Sequence, residues 1–263
     1  MIEKYLVKKI TEPVDWKVTV PGSKSMTNRA LLMAVLSAGT VRVEGVLFSD
    51  DSRHFLACLV ALGFTVEIEE EKKCVTVTGC GGRIPRGEAV IDVGSAGTAA
   101  RFLAAMLGFS DGCYEIRCSA QMKRRPMAEL FDLLSGAGAK ITFLEEEGHL
   151  PVRITGCRYA RADKTAGETP RELSLDITKS TQFLSALLLI APMVPEGMKI
   201  HITSEKTDGS YIRITRKMMQ EFGVSVAFDG RDYEVPCRSS YRKETYMVEP
   251  VSYTHLTLPT KLE

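Results

Sequence analysis

No run of about 18 apolar residues occurs in this chain, so the sequence offers no membrane-spanning helix. Met1-Ile2-Glu3-Lys4 lacks the layout of a secretory signal, and the location expected is cytoplasmic. Seven cysteines are scattered, odd in number and without a C-x-x-C pair, which argues against a disulfide framework or a zinc knuckle. Cys113 and Cys118 alternate with apolar residues and are expected to pack in the core. The four histidines (His54, His149, His201 and His255) show no ligand spacing, so no metal site is expected. A net charge of +1 gives no support for a nucleic-acid or acidic-membrane partner. What is present is an ordinary globular composition, 44% apolar and 25% charged, over 263 residues: room for one large or two small domains.

The densest local signal is Val20-Pro-Gly-Ser-Lys-Ser-Met-Thr-Asn-Arg29, which runs straight into Ala30-Leu-Leu-Met-Ala34. It sets a Pro-Gly turn, two hydroxyls, a lysine and an arginine at the mouth of an apolar helix. Such a mouth presents unpaired N–H groups and the positive end of the dipole, so it attracts anions. Lys24 adds a point charge and Arg29 a planar fork suited to carboxylate or phosphate. The spacing is not that of a Walker loop, because no second glycine precedes Lys24.

The arrangement recurs. Apolar helices are expected at Ser25 to Leu36, Ala99 to Leu107 and Phe183 to Met193, each after a polar or glycine turn and before a Gly-turn and strand. Their strands fall within Gly39 to Gly45, Asp111 to Cys118 and Glu196 to Ile202. A second helix ending at a glycine follows in each case: Asp51 to Leu62, Pro126 to Leu134 and Tyr211 to Phe222. Two strands then complete each unit. They are Thr65 to Ile68 with Cys74 to Thr78, Lys140 to Leu144 with Val152 to Thr155, and Val224 to Phe228 with Tyr233 to Val235. The closing glycines Gly63, Gly138 and Gly223 give a period of roughly 75 to 85 residues, too long for a solenoid or propeller. The first helices are apolar all round and therefore buried, whereas the second carry a polar face such as Arg213, Arg216, Lys217 and Glu221. The fold class expected is α/β: three sheets around a helical interior, with three helix N-termini converging on one rim. Such a rim suits a multiply charged ligand.

The motifs PGSKSMTNRALLMA, SDDSRH, GSAGTAARFLAAML, MKRRPMAEL, STQFLSALLLIAPM and SYIRIT, in that order, resemble the 5-enolpyruvylshikimate-3-phosphate synthase (3-phosphoshikimate 1-carboxyvinyltransferase) family over about residues 3 to 250. The resemblance implies an enolpyruvate transferase-like fold whose unit is βαβαββ, triplicated in each of two domains. It implies transfer of the enolpyruvyl group from phosphoenolpyruvate to the 5-hydroxyl of shikimate 3-phosphate, with release of phosphate, on the way to chorismate. The reaction passes through a tetrahedral ketal without metal or organic cofactor; glyphosate is the family's inhibitor, and the full-length family is monomeric. By resemblance, Lys24 touches both substrates, and Ser25 and Arg29 hold the shikimate ring. Phosphoenolpyruvate and glyphosate pack against Gly97. Ser180 and Thr181 hold the 3-phosphate, Gln182 lies between the substrates, and Tyr211 lines the shikimate pocket. Arg101 is read instead as a helix-surface or interdomain charge.

Three departures accompany the match. Gln121 stands where the family has an arginine for the phosphoenolpyruvate carboxylate, with Lys123 or Arg124 as candidates to compensate. Asp208 stands where the family has a serine. The match ends near Tyr246-Met-Val-Glu-Pro250, where the family chain crosses into its other domain. The resemblance thus divides the chain into a leading strand in 1–20 that belongs to a second domain, a triplicated domain in 21–248, and a non-native tail in 251–263. The catalytic base and acid are expected in that second domain, so this chain is expected to bind shikimate 3-phosphate without turnover. Two other readings stay open: a non-catalytic anion-binding domain, and a relative of the UDP-N-acetylglucosamine enolpyruvyl transferases.

Overall fold

Capping chemistry and apolar patterning set the elements of residues 20–157 and 169–250, which the computed structural model describes. The first unit runs α1 (Lys24–Leu36), β1 (Thr40–Glu44), α2 (Asp50–Ala61), β2 (Thr65–Glu69) and β3 (Cys74–Thr78). The second runs β4 (Glu88–Asp92), α3 (Gly97–Gly108), β5 (Cys113–Arg117), the single turn α4 (Ala120–Lys123), α5 (Ala128–Gly136), β6 (Lys140–Phe143) and β7 (Val152–Thr155). The third runs β8 (Arg171–Leu175), α6 (Thr181–Ile190), β9 (Met198–Ile202), α7 (Ser210–Glu221), β10 (Ala227–Phe228) and β11 (Asp232–Val235), and β12 (Thr245–Met247) follows. The tail 251–263, and all but Val20 of the leading segment, lie outside the described residues.

The closing glycines do what their positions foretell. Gly63, Gly138 and Gly223 adopt φ of 91°, 99° and 89°, left-handed values that a Cβ disfavours. Behind each, a doubled bond seals the helix. The amides of Phe64, Ala139 and Val224 reach back to the carbonyls of Leu59, Leu134 and Met219 at 3.1, 3.0 and 2.8 Å.

Three four-stranded sheets share one order. They read β12-β1-β3-β2, β4-β5-β7-β6 and β8-β9-β11-β10. In each the first pair is parallel and the other two are antiparallel. The leading strand of the first sheet is therefore β12, drawn from the far end of the described chain, with Val43 opposite Tyr246. Gly22 bridges Pro250 beside it. The first unit's sheet is thus joined by residues 203 positions away in sequence.

α1, α3 and α6 touch one another inside the three sheets. Every residue from Met26 to Leu36, from Ala99 to Gly108 and from Phe183 to Ile190 is buried, as expected for helices apolar all round. Among the described residues no helix is long and apolar enough to cross a membrane.

Four details differ from the sequence reading. The third apolar helix stops at Ile190, because Pro192 lacks the N–H an α-helix needs and the chain tightens into a 3₁₀ turn over Ala191–Met193. The strand expected at Val224 to Phe228 pairs only over Ala227–Phe228, since the Val224 amide is spent on closing α7. The second unit's outer helix begins at Ala128 rather than Pro126. Cys113 is half-buried on the outer side of β5, opposite the buried Tyr114 and Ile116, while Cys118 lies just past the strand and packs against the core.

Candidate functional site

The N-terminal turns of the three buried helices open on one cleft of about 220 Å³. α1 contributes Lys24, Ser25 and Arg29; α3 contributes Gly97 and Thr98; α6 contributes Gln182. Asp51 from the first turn of α2, Arg125 from the turn after α4, and Tyr211 from α7 complete the wall. Three basic side chains thus face one carboxylate, and that carboxylate is engaged: Asp51 Oδ2 lies 3.1 Å from Lys24 Nζ.

Arg29 is the anchored cation. It is 2% exposed, and its Nε donates to the Thr215 hydroxyl at 2.8 Å, its Nη1 to the Ser25 carbonyl at 2.9 Å and its Nη2 to Ser185 Oγ at 3.4 Å. Its guanidinium carbon lies 5.3 Å from the centroid of Phe102 and 5.7 Å from that of Tyr211, within cation–π range. These contacts fix the guanidinium through all three of its nitrogens before any ligand arrives, which lowers the entropy lost on binding.

Arg101 is no surface charge. It is 7% exposed, donates through Nη1 to the Gly97 carbonyl at 2.9 Å and stacks 5.4 Å from the Phe183 centroid. Its Nε finds no hydrogen-bond partner among the described residues. Burial, with the nearby Arg125 charge adding, pushes its pKa down to about 10. It is still a cation at neutral pH, and a strained one.

Gly97 explains itself sterically. A Cβ there would sit 2.5 Å from Arg125 Nη1 and 2.9 Å from Arg101 Nη1, closer than real contacts permit. The glycine lets two guanidiniums converge over the first turn of α3.

Of the nine residues singled out in the sequence, the cleft brings together six: Lys24, Ser25, Arg29, Gly97, Gln182 and Tyr211. Ser180 and Thr181 stand one step back on the same helix mouth. The Ser180 hydroxyl caps α6 by accepting from the Gln182 amide at 3.2 Å. Gln121 is exposed on α4 and outside the cleft lining. Lys123 Nζ is held by Glu145 at 2.5 Å, Arg124 is exposed, and neither lines the cleft. Asp208 pairs with Arg213 at 2.8 Å instead of facing the cleft. Three lining residues went unread in the sequence. Thr98 follows Gly97 directly, Asp51 belongs to the SDDSRH motif, and Arg125 is the last cation of MKRRP. The signal for Asp51 was its place in the acidic first turn of α2, where an acid suits the helix dipole and can reach Lys24. Among the described residues no three His, Cys, Asp or Glu side chains form a metal-ligating group.

The fold is one shared with enolpyruvyl transferases of known structure. The family profile described as EPSP synthase (3-phosphoshikimate 1-carboxyvinyltransferase) matches residues 8–250, and the chain belongs to that family. The 3-phosphoshikimate 1-carboxyvinyltransferase of Sulfurovum sp. is 41% identical over 239 residues, covering 90% of this chain and 54% of the relative. That of Trichormus variabilis is 36% identical over 242 residues, covering 92% of this chain and 55% of the relative. Among solved structures, the EPSP synthase of Acinetobacter baumannii superposes with a TM-score of 0.73 at 24% identity, over 89% of this chain and 49% of that one. The enolpyruvyl transferase NikO of Streptomyces tendae gives 0.60 at 14% identity, over 91% and 53%. The chain spans about half the length of the curated relatives it matches.

Proposed function

We propose that this chain carries the shikimate 3-phosphate side of an enolpyruvyl transfer site and binds that ligand through the cleft at the three helix mouths. The observation that carries the reading is the convergence of Lys24, Arg29 and Gln182, from two different units, on one concavity with Tyr211 beside them. A phosphorylated carboxylate needs fixed donors and positive charge at separated points. Arg29 offers a fork held from behind by Thr215, Lys24 a mobile point charge, and the first turn of α6 the positive end of its dipole. Ser180 and Thr181 stand at that turn for the 3-phosphate, and Ser25 and Tyr211 border the ring. The second substrate on this reading is phosphoenolpyruvate, packed over Gly97, where glyphosate would compete. On this reading the site belongs to a cytoplasmic pathway to chorismate whose full-length family members are monomeric.

Turnover asks for more than these residues supply. Adding a hydroxyl across an enol double bond places a proton on carbon, and expelling phosphate takes one back. A positioned acid–base group is worth about 10²–10⁴-fold in rate. Among the described residues the one carboxylate in the cleft lining, Asp51, is tied to Lys24. The 263-residue polypeptide therefore binds without turning over. Calorimetry of the purified chain tests this: shikimate 3-phosphate binds, Arg29→Ala weakens it at least tenfold by removing a charge-assisted contact, about 1.5–3 kcal/mol, and a phosphate-release assay with both substrates stays flat. Unaltered binding by Arg29→Ala, or measurable phosphate release, rejects the respective half of the proposal.

A further inference from the structure

We propose that Arg125 is the residue with which this chain grips the phosphoryl group of phosphoenolpyruvate, with Arg101 buried behind it as a positioning residue. The inference rests on the reading above that phosphoenolpyruvate is the second ligand of the cleft.

The two Nη1 atoms lie 2.5 and 2.9 Å from a single point, the place a Cβ would occupy on Gly97. Like charges converge in this way at a cost, which an anion between or above them relieves. Arg101 cannot withdraw: it is 7% exposed, pinned to the Gly97 carbonyl, and its Nε is unpartnered among the described residues. Arg125, by contrast, is exposed and lines the cleft, and no carboxylate or side-chain acceptor holds it among the described residues.

The other basic groups near the cleft each have a side-chain partner within the chain. Lys24 has Asp51, Lys123 has Glu145, and Arg29 spends donors on Thr215, Ser25 and Ser185. Gln121 is outside the lining and offers only neutral hydrogen bonds. A guanidinium fork above a helix N-terminus, next to a glycine that admits close approach, matches a phosphoryl dianion in charge and geometry. A second guanidinium behind it raises the local field and holds the Gly97 turn in place. The chain thus carries its own cation for phosphoenolpyruvate four residues beyond Gln121, in the cleft lining.

Arginine side-chain ¹⁵Nε resonances of the full 263-residue chain, assigned with Arg125→Gln, test the proposal with two titrants, phosphoenolpyruvate and inorganic phosphate. The expected result is a shift of the Arg125 signal with both titrants. Arg125→Gln should weaken phosphoenolpyruvate binding about tenfold or more while leaving shikimate 3-phosphate affinity within about twofold. An Arg125 signal unmoved by phosphoenolpyruvate overturns the proposal whether or not shikimate 3-phosphate binds. An equal loss for both ligands in Arg125→Gln also overturns it, because that is the mark of a general field rather than a subsite. A shift with phosphoenolpyruvate but none with inorganic phosphate overturns the assignment to the phosphoryl end. Failure of shikimate 3-phosphate to bind the wild-type chain counts against the functional reading alone.

Discussion

Arg29 Nε donates to Thr215 Oγ1 at 2.8 Å, a bond between residues 186 positions apart that ties the first helix of the first unit to the outer helix of the third. The same hydroxyl donates to the Tyr211 carbonyl at 2.7 Å and lies 3.2 Å from Ser185 Oγ. A buried arginine is tolerable only when its donors are met, and here three elements meet them. The cleft is thus built into the packing of the domain and not laid over it.

Thr215→Val keeps the shape and removes the acceptor. The buried Arg29 Nε then loses its partner, and stability should fall by about 1–3 kcal/mol. Urea unfolding followed by circular dichroism measures this as a lower midpoint at unchanged slope. Thr215→Ser, which retains the oxygen, should lose much less.

Gly97→Ala places a methyl where Arg125 and Arg101 converge. Arg125 is exposed and can swing aside, but the buried Arg101 must also give way, so the melting temperature should fall modestly. Phosphoenolpyruvate binding should nevertheless weaken about tenfold or more as the paired cations separate. Calorimetry and a thermal melt on the same variant separate the two effects, and a large drop in melting temperature would count against this account.

The cysteines should react in order of exposure. Burial, with the Asp92 charge adding, pushes the Cys58 thiol up to about 12, and burial pushes Cys118 up to about 11. Only the thiolate attacks a disulfide reagent, so both stay inert near pH 8 in the folded protein. Cys237 is exposed and should react first. Timed labelling with mass mapping should find Cys58 modified only after unfolding.

Acid should weaken the outer faces of the sheets. Glu115 is held below the usual carboxylate range by hydrogen bonds from Arg117 and Arg153, and Glu69 by those from Lys72 and Arg42. A depressed folded-state value means the stabilisation is present above the unfolded value, about 4.3 for glutamate, and fades as pH falls through the lower folded one. Thermal midpoints should be level from about pH 7 to pH 5 and decline below about pH 4. Salt should soften the effect because these pairs are exposed, and Glu115→Gln should remove part of it.

Much of the fold was legible because its signals are local. Apolar runs without a polar face marked the buried helices, and glycines just past the outer helices foretold left-handed residues that the backbone adopts at Gly63, Gly138 and Gly223. The leading strands were harder. Glu88–Asp92 lies at the edge of its sheet with three of five residues exposed, so it carries little apolar alternation to read. Thr245–Met247 is three residues long, and nothing local shows that it pairs with β1.

The sequence by itself determined the triplicated helices, their caps and the identity of the residues at the three helix mouths, because each depends on contacts within about a dozen residues. It placed six of the nine residues that the cleft assembles in one list, and it put Gln121 where the family keeps an arginine. Only the tertiary structure decided which cation faces the cleft. Lys123, Arg124 and Arg125 are neighbours in sequence and all cationic. The turn after α4 sends the first to Glu145, leaves the second exposed outside the cleft and carries the third to Gly97. The same holds for Arg101, whose burial follows from the packing of α3 against α6 and Phe183. Direction in space depends on how distant elements pack, and no local pattern encodes that.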